Sequence, residues 1–335
     1  MLRSLILVAM IRFGILGAAR IAPRALIHPA RGRTDLAVTM VAARDPVRAR
    51  AYAFEHGIPR VAHDYDSLVR HPEIDAVYVA LPNSDHLRWA LAALNAGKHV
   101  LVEKPVCANA REVETLIEAA RGRPAQVLAE AMHYRYHPMI GSVRQRVAGG
   151  GIGTVRRIQA EFIGPLRRQD DIRYQWPLAG GALMDLGCYA VHLARSLCPL
   201  PMVVRSSRMK TMSKQVDQWF EARLEAGEVD IEVRAGFSAL NLMRQRAVIE
   251  GSGARMTLSN PFIPGWFGAV RVDGRRAVER ERATRRSSYA WMLDAFVSAV
   301  GGRADAVLPL TDALENMTVI DSLYQSAGLS PRSMP

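Results

Sequence analysis

Short apolar runs alternate with helical patterns along the N-terminal part of the chain. Five buried strands are predicted: Arg12–Leu16, Val38–Ala43, Ala76–Leu81, His99–Glu103 and Gln126–Ala131. Between two of them, Asp45 is a typical helix cap and Gly57 a typical stop, which predicts a helix over Pro46–His56. Strands and helices that alternate with short loops are typical of a parallel sheet with helices on both faces. We therefore predict an α/β fold that begins with a Rossmann-type, doubly wound domain over residues 10–135.

The pattern changes at about His133. After a helix predicted over Pro138–Ala148, apolar and polar residues alternate, as in Trp219–Leu224 and Val229–Phe237. A period of two predicts an antiparallel sheet with one packed face and one face exposed to solvent or in a subunit contact. Two helical patterns close the chain: Ser287–Val300 and Asp312–Ala327. We predict an α+β domain over residues 136–330 with an open-faced, mostly antiparallel sheet, and leave open whether the closing helices pack back on the first domain.

Length and composition agree with this division into two domains. The chain has 335 residues, of which 49% are hydrophobic and 23% charged, as in soluble globular proteins. The net charge of +12 raises the possibility of nucleic-acid binding. However, only four of the 44 basic residues are lysine, and the arginines are spread along the chain rather than clustered with aromatic residues. We therefore expect a small-molecule substrate and no nucleic-acid partner.

The cysteines and the N-terminal apolar run indicate the cellular compartment. Cys107, Cys188 and Cys198 follow no metal-ligand spacing and cannot all pair, which predicts a reducing compartment and no metal site. The run Leu2–Ile11 is well short of the roughly 20 residues that span a bilayer, and it continues directly into the first strand. We expect a cytoplasmic protein without membrane contact, and leave open whether residues 1–9 belong to the native chain.

The turn after the first strand suggests a bound dinucleotide. Dinucleotide-binding units carry G-x-G-x-x-G/A there, and this chain has Gly17-x-Ala19-x-x-Ala22, with alanine at the second glycine position. The cofactor contacts predicted at the turn are Gly17, Ala18, Ala19, Arg20 and Ile21. A small-residue turn in some other α/β protein is the alternative.

The end of the second strand bears on the choice of cofactor. A carboxylate there favours NAD and a nearby arginine favours the 2′-phosphate of NADP. Asp45 is the predicted helix cap, so Arg44 favours NADP, with NAD as the alternative. A solvated surface arginine is the simpler interpretation. Leu81, His86 and Lys104 also follow strand ends, where ligands bind in such sheets.

A helical segment of the second domain brings polar chemistry to one face. Asp185, Tyr189 and His192 are spaced i, i+4 and i+7, so a regular helix would present a carboxylate, a phenol and an imidazole together. A second face is apolar and comprises Leu183, Leu186, Ala190, Leu193 and Leu197. The alternative is a surface helix with one hydrogen-bonded histidine. Lys104 adds to the catalytic hypothesis, because an ammonium can give up a proton where a guanidinium cannot.

Three motifs in this order resemble the glucose–fructose oxidoreductase / inositol dehydrogenase / MocA family. They are Gly14-x-x-Gly17-x-x-Arg-Ile-Ala22, Glu103-Lys104-Pro105 and Gly180-Gly181-x-Leu183-x-Asp185-x-Gly187-x-Tyr189. The segment Tyr289–Ser326 is similar too, so the resemblance covers nearly the whole chain. The tyrosine at position 189 of this motif resembles the pattern of the dihydrodiol, xylose and sugar-ketoreductase branches, whereas the inositol branch has histidine there.

The resemblance implies hydride transfer between a nicotinamide ring and a carbinol or ketone carbon. It implies that Lys104 orients the substrate hydroxyl, that Tyr189 donates or accepts the proton, and that Asp185 holds a neighbouring hydroxyl. It places His192 as a further substrate contact. Asn83, His86 and Glu103 would line the nicotinamide side, and three loop residues would be weaker substrate contacts: Arg135, Arg173 and Trp176.

The family also implies a homo-oligomer, dimer or tetramer, that associates through the C-terminal sheet. We predict an NAD(P)-dependent dehydrogenase or reductase that acts on a sugar, nucleotide sugar or related polyol. A reductase of a non-sugar carbonyl or a dihydrodiol dehydrogenase is the first alternative. A dinucleotide-binding regulator without turnover is the second.

Overall fold

The computed structural model describes residues 10–166, 170–212, 215–240, 242–265, 267–274 and 278–332. The segment 1–9, whose origin the sequence left open, lies outside this part. The described residues form two compact units. The first extends to Cys107 and includes Arg111–Ala131 and Tyr289–Asp312. The second comprises Ala108–Ala110, Met132–Ser288 and the chain from Ala313 onward.

Parallel strands build the first unit. They are β1 (Ile11–Leu16), β2 (Leu36–Ala42), β3 (Arg60–Val61), β4 (Ala76–Val79), β5 (His99–Val102) and β6 (Leu128–Glu130). Their order in the sheet is β3-β2-β1-β4-β5-β6, and every pair in this sheet is parallel. This is the doubly wound dinucleotide-binding order, so the predicted fold class is confirmed. The pattern missed β3, because two residues are too few to show a period.

The second unit is built on a mixed sheet. Its strands are β7 (Val155–Pro165), β8 (Val203–Thr211), β9 (Asp217–Ala226), β10 (Val229–Ser238), β11 (Arg244–Gly251), β12 (Ala254–Ser259), β13 (Ala269–Gly274) and β14 (Val278–Arg282). Their order is β14-β13-β12-β11-β7-β10-β9-β8. The β7–β10 pair is parallel and the other described pairs are antiparallel, as the alternating pattern predicted for most of the sheet.

The helices are α1 (His28–Ala30), α2 (Pro46–His56), α3 (Tyr65–Val69), α4 (His86–Asn95), α5 (Ala110–Arg121), α6 (Pro138–Ala148), α7 (Cys188–Leu197), α8 (Ser288–Val300) and α9 (Leu310–Ser326). The four whose bounds the pattern predicts, α2, α6, α8 and α9, keep their positions within two residues. In the first unit α8 packs on β1, where the rings of Phe13 and Phe296 lie 5.6 Å apart, and Arg33 donates to Asp294 over 2.8 Å.

The two faces of the second sheet differ in character. On β10, Ile231 and Val233 are buried, and α7 packs against β7 and β10. The opposite face carries arginine–glutamate pairs, among them Arg157–Glu232 at 3.1 Å and Arg244–Glu161 at 2.6 Å. Alternation along the strands therefore separates an apolar face from a charged face.

Candidate functional site

The turn that follows β1 requires a glycine at its first position. Gly17 has a φ of +99°, and its N–H donates to the Ala42 carbonyl at the end of β2 over 2.8 Å. A β-carbon at Gly17 would lie 2.5 Å from the Ala80 carbonyl oxygen, too close for any side chain. The turn therefore passes tightly against its neighbours at the carboxyl edge of the parallel sheet, where this fold binds dinucleotides.

Two side chains of α2 hold the carbonyls of the next two residues in the turn. Arg48 Nη2 donates to the Ala18 carbonyl over 2.7 Å, and the Tyr52 hydroxyl donates to the Ala19 carbonyl over 2.9 Å. Sequence reasoning did not single out either residue, although both lie on a helix that it predicted. They fix the conformation of the turn at the point where alanine replaces the second glycine of the motif.

A short helical segment completes this turn. Arg20 is exposed, Ile21 is half-buried, and a π-helical turn over Pro23–Ile27 leads into α1. A glycine turn at a strand end that leads into the N-terminus of a helical segment suits an anion, because unpaired N–H groups and the helix dipole favour negative charge. The residues from Gly17 onward therefore fit the pyrophosphate of a dinucleotide.

The end of β2 carries positive charge. Arg44 is exposed there, and Asp45 caps α2 by accepting from the Val47 N–H over 2.8 Å, as predicted. Burial raises the pKa of Tyr65 on α3, and the nearby charge of Arg44 acts in the opposite direction. The phenol of Tyr65 therefore lies close to Arg44. The strand end that faces adenosine in this fold thus presents Arg44 rather than a free carboxylate.

His86 joins two loops at the same sheet edge. It is fully buried; its Nδ1 lies 2.8 Å from the Pro105 carbonyl and its Nε2 2.9 Å from the Leu81 carbonyl. Burial lowers its pKa, although both carbonyls act in the opposite direction. The neutral ring donates to only one of these two carbonyl acceptors, whereas the protonated ring donates to both. The structure therefore places His86 as a link between the loop after β4 and the Lys104–Pro105 turn, and its contact with a cofactor stays a prediction.

Buried carboxylates flank the Lys104 turn at the end of β5. Glu103 accepts a hydrogen bond from the buried Tyr78 hydroxyl, and Glu130 Oε1 accepts from the Val106 N–H over 2.9 Å. Lys104 itself is half-exposed. Sequence reasoning missed Glu130, although a glutamate at the end of a buried strand was a usable signal.

In the second unit, aromatic rings surround Tyr189. Its ring centroid lies 5.6 Å from Phe162, 5.7 Å from both His133 and Phe262, and 5.8 Å from Tyr134. The side chain is 5% exposed. Such packing fixes the direction of the phenol and lowers the local dielectric, which strengthens any polar interaction of its hydroxyl.

The segment that carries Tyr189 differs from the predicted regular helix. Its first turn, Leu183–Gly187, is π-helical and α7 follows, so a regular α-helical face does not describe Asp185 and Tyr189. His192 is 1% exposed and shares a 2.6 Å hydrogen bond between Nδ1 and the Tyr134 hydroxyl. The alternative of a surface helix is therefore wrong, because nearly every side chain of α7 is buried.

The structure brings the predicted substrate residue Arg173 to Asp185. Arg173 Nε donates to Asp185 Oδ2 over 2.7 Å, and its Nη1 lies 3.1 Å from Asp171 Oδ1. The charge of Asp185, followed by that of Asp171, raises the pKa of Arg173, so the guanidinium stays protonated. Asp185 is therefore a charged, oriented acceptor. No sequence pattern indicates Asp171, which also caps the short helix Ile172–Tyr174.

The other predicted residues lie in short 3-10 helices. Asn83 begins the one after β4 in the first unit, and Leu81 is half-buried just before it. In the second unit Arg135 belongs to the 3-10 helix His133–Tyr136. Trp176 is half-buried and begins the 3-10 helix Trp176–Leu178. Their roles toward cofactor or substrate stay predictions.

Among the described residues, no group of three or more histidine, cysteine, aspartate or glutamate side chains has the arrangement of a metal site. In the same part of the chain, every helix is too short or too polar to cross a membrane.

Known proteins match the whole of this architecture. Residues 140–257 match the C-terminal domain of the glucose–fructose oxidoreductase / inositol dehydrogenase / MocA family. The dTDP-3,4-didehydro-2,6-dideoxy-alpha-D-glucose 3-reductase of Streptomyces violaceoruber is 32% identical over 330 residues, 95% of this chain and 96% of that protein. The D-xylose 1-dehydrogenase (NADP(+)) 2 of Haloferax volcanii is 32% identical over 321 residues, 94% of this chain and 97% of that protein.

A solved structure agrees with these matches. The crystal structure of a 3-ketoreductase from Actinomadura kijaniata in complex with NADP and TDP-benzene superposes with a TM-score of 0.85 at 27% identity, over 94% of this chain and 97% of that one. Residues 11–131 match the domain described as "Oxidoreductase family, NAD-binding Rossmann fold". The chain therefore belongs to the glucose–fructose oxidoreductase / inositol dehydrogenase / MocA family of NAD-binding oxidoreductases.

Proposed function

We propose that this enzyme uses NADPH to reduce a ketone carbon of a sugar or nucleotide sugar, or NADP to oxidise the corresponding carbinol. The observation that carries this proposal is the Tyr189 segment. A buried phenol in a rigid aromatic setting stands four residues after a carboxylate, Asp185, that Arg173 keeps charged and oriented. A phenol suits proton transfer, and a charged carboxylate suits the hydroxyl of a polyol.

Each residue then has a defined part in the reduction. When bound, a nicotinamide dinucleotide would supply the hydride. Tyr189 gives its hydroxyl proton to the oxygen of the forming alcohol, and the Lys104 ammonium orients that oxygen and stabilises its negative charge. Asp185 accepts a hydrogen bond from a neighbouring substrate hydroxyl. The phenolate of Tyr189 regains its proton from solvent, so one ketone, one hydride and one proton yield one alcohol.

The preference for NADP rests on the positive charge at the end of β2. Arg44 is exposed there, while Asp45 is engaged as the cap of α2. The dinucleotide phosphates would lie at Gly17, Ala18, Ala19, Arg20 and Ile21, and the nicotinamide near Leu81, Asn83, His86 and Glu103. Two relatives agree with this assignment: the D-xylose 1-dehydrogenase is named for NADP(+), and the 3-ketoreductase was crystallised with NADP.

Four further features belong to the same proposal. The dinucleotide domain extends over residues 10–135, with α8 packed back on it, and the substrate domain over 136–330 apart from that helix. His192, Arg135 and Trp176 contact the substrate. The protein is a cytoplasmic homo-oligomer, dimer or tetramer. Its subunits meet through the charged face of the eight-stranded sheet, where Arg157–Glu232 and Arg244–Glu161 pairs can exchange partners with a second copy.

Reduction of a non-sugar carbonyl is the second candidate. The observation that favours it is the number of aromatic rings that contact Tyr189, because an apolar wall suits an aliphatic diketone or an aromatic substrate.

A substrate panel with both cofactors tests these proposals. Purified enzyme is mixed with NADPH and a keto nucleotide sugar, a free ketose or an aliphatic diketone, and with NADP and aldoses, and the absorbance of reduced nicotinamide is followed. Sugar turnover that exceeds diketone turnover supports the first proposal, and the reverse order supports the second. Nucleotide binding without turnover on any substrate would contradict both and favour a regulator.

A further inference from the structure

A fully buried arginine close to the C-terminus lies in the core of the second unit. Arg332 follows α9 and is 1% exposed, and Asp217 at the start of β9 is equally buried. Arg332 Nη2 lies 2.7 Å from Asp217 Oδ1, and its Nε donates to the Gly180 carbonyl over 2.7 Å. A buried charge of this kind needs a close partner because its desolvation is costly.

The carboxylate of Asp217 also holds the start of the segment that carries the proposed proton donor. Its Oδ2 accepts from the Leu183 N–H over 2.7 Å, and its Oδ1 accepts from the Tyr324 hydroxyl over 2.8 Å. Leu183 opens the π-helical turn that leads to Tyr189. Asp217 therefore caps this helical segment, and Arg332 balances the charge of the cap.

The Gly180–Gly181 motif wraps closely around this ion pair. Gly181 has a φ of +138°, and a β-carbon on it would lie 2.2 Å from Asp217 Oδ1 and 2.8 Å from Arg332 Nη2. The guanidinium itself is covered by two rings, with its central carbon 4.2 Å from the Tyr324 centroid and 4.5 Å from the Trp176 centroid. Contacts with Arg332 and its partner thus explain the glycine at position 181, whereas a β-carbon on Gly180 would lie 2.5 Å from the Arg173 carbonyl oxygen.

Arg332 consequently fixes one end of a segment that Arg173 fixes at the other. Arg173 binds Asp185 directly, whereas Arg332 binds the Gly180 carbonyl, stacks on Trp176 and, through Asp217, holds the Leu183 N–H. Its own main chain is held in turn, because the Asn109 side-chain amide donates to the Arg332 carbonyl over 2.7 Å.

We propose that Arg332 is a positioning residue that sets the placement of Asp185, Tyr189 and Trp176 for the reaction. This inference rests on the proposed function for its catalytic consequence and on the contacts above for its structural one. A displacement of about 1 Å at a catalytic group can cost on the order of a hundredfold in rate. The end of the chain, far from any recognised motif, would then limit turnover without contacting the substrate.

The test compares three full-length variants. Arg332→Met removes the charge and keeps a long side chain. Arg332→Met combined with Asp217→Asn avoids an unpaired buried carboxylate and is the variant to use if the single change does not fold. Arg121→Met is the matched control, since Arg121 is 72% exposed at the end of α5 and pairs with Glu118 one turn earlier on the same helix. Turnover is divided by the number of NADPH-binding sites, so that unfolded protein does not count as lost catalysis.

We expect Arg332→Met to lower kcat per NADPH-binding site about a hundredfold, with NADPH affinity within about twofold of wild type and Arg121→Met unchanged. A loss of less than tenfold overturns the inference. If wild type turns over no substrate, the proposed function fails, and amide hydrogen exchange of residues 180–187 decides this point separately. Faster exchange there in Arg332→Met than in Arg121→Met supports the inference, and equal exchange overturns it.

Discussion

Gly17→Ala perturbs the turn that we assign to the dinucleotide phosphates. At a φ of +99° an alanine is strained, which costs about 1–2 kcal/mol. Its methyl group would also lie 2.5 Å from the Ala80 carbonyl oxygen, so the turn must move about 0.9 Å to reach an ordinary contact of 3.4 Å. That movement disturbs the hydrogen bond that the Ala80 N–H donates to the Leu16 carbonyl, and this hydrogen bond joins the ends of β1 and β4.

A second glycine separates the two contributions. Gly57 also has a positive φ, +70°, but a β-carbon there would meet nothing within 4 Å. Gly57→Ala should therefore cost only the strain, about 1 kcal/mol. Gly17→Ala should cost roughly 2 kcal/mol more, since overpacking against a fixed neighbour typically costs about 1–3 kcal/mol. At about 2 °C per kcal/mol for a chain of this size, its Tm should lie about 4 °C below that of Gly57→Ala.

Thermal unfolding and NADPH titration of the two variants test this reasoning. We expect Gly17→Ala to weaken NADPH binding at least about tenfold, because the displaced backbone is the part that approaches the pyrophosphate. Gly57→Ala should bind NADPH as wild type does. Equal Tm values and equal NADPH affinities for the two variants would refute both the clash and the placement of the phosphates.

Other predictions concern the reaction, the cofactor and pH. Lys104→Met should abolish turnover while dinucleotide affinity falls less than about tenfold, and turnover like that of wild type would remove Lys104 from the mechanism. Tyr189→Phe should lower kcat at least about a hundredfold, whereas a loss below tenfold would transfer the proton to His192 or to water. Arg44→Ala should weaken NADPH binding about tenfold or more and leave NADH binding unchanged; an equal effect on both would rule out a contact between Arg44 and the 2′-phosphate. Burial lowers the pKa of three histidines: His86, His99 and His137. In the unfolded chain these histidines have their ordinary pKa of about 6.5, so they take up protons at a higher pH than they do in the folded chain. The free energy of unfolding should therefore fall as the pH drops below about 6.5. Urea unfolding that is unaffected between about pH 7.5 and 5.5 would contradict this.

The elements that could be predicted are those whose signal is local. Asp45 and Gly57 bound α2 as expected, because a cap and a left-handed stop are read from adjacent residues. The period of two identified β10 with its buried and exposed sides. Where the signal is not local the prediction failed: the two residues of β3 show no period, and the first N–H of the π-helical turn before α7 is held by Asp217, 34 residues away.

The missed residues act over long sequence separations. Arg332 and Asp217 are 115 residues apart, and neither belongs to a motif. A buried arginine after the last helix looks like a surface residue in sequence, because arginine is usually exposed. Helical spacing and the family resemblance both indicate Asp185, and the resemblance alone indicates Arg173, but their direct bond depends on the loop that brings them together. Which buried charges pair depends on the tertiary fold, so a single sequence does not predict it.

Deuterium transfer tests the central claim of hydride chemistry most directly. The enzyme is given NADPH that carries deuterium on one face of the nicotinamide C4, together with the ketosugar that the panel identifies, and the product is examined by mass spectrometry and NMR. We expect one deuterium on the new carbinol carbon for one of the two labelled faces, and product formation slowed about a hundredfold in Tyr189→Phe. Product without deuterium from either labelled face would contradict the account.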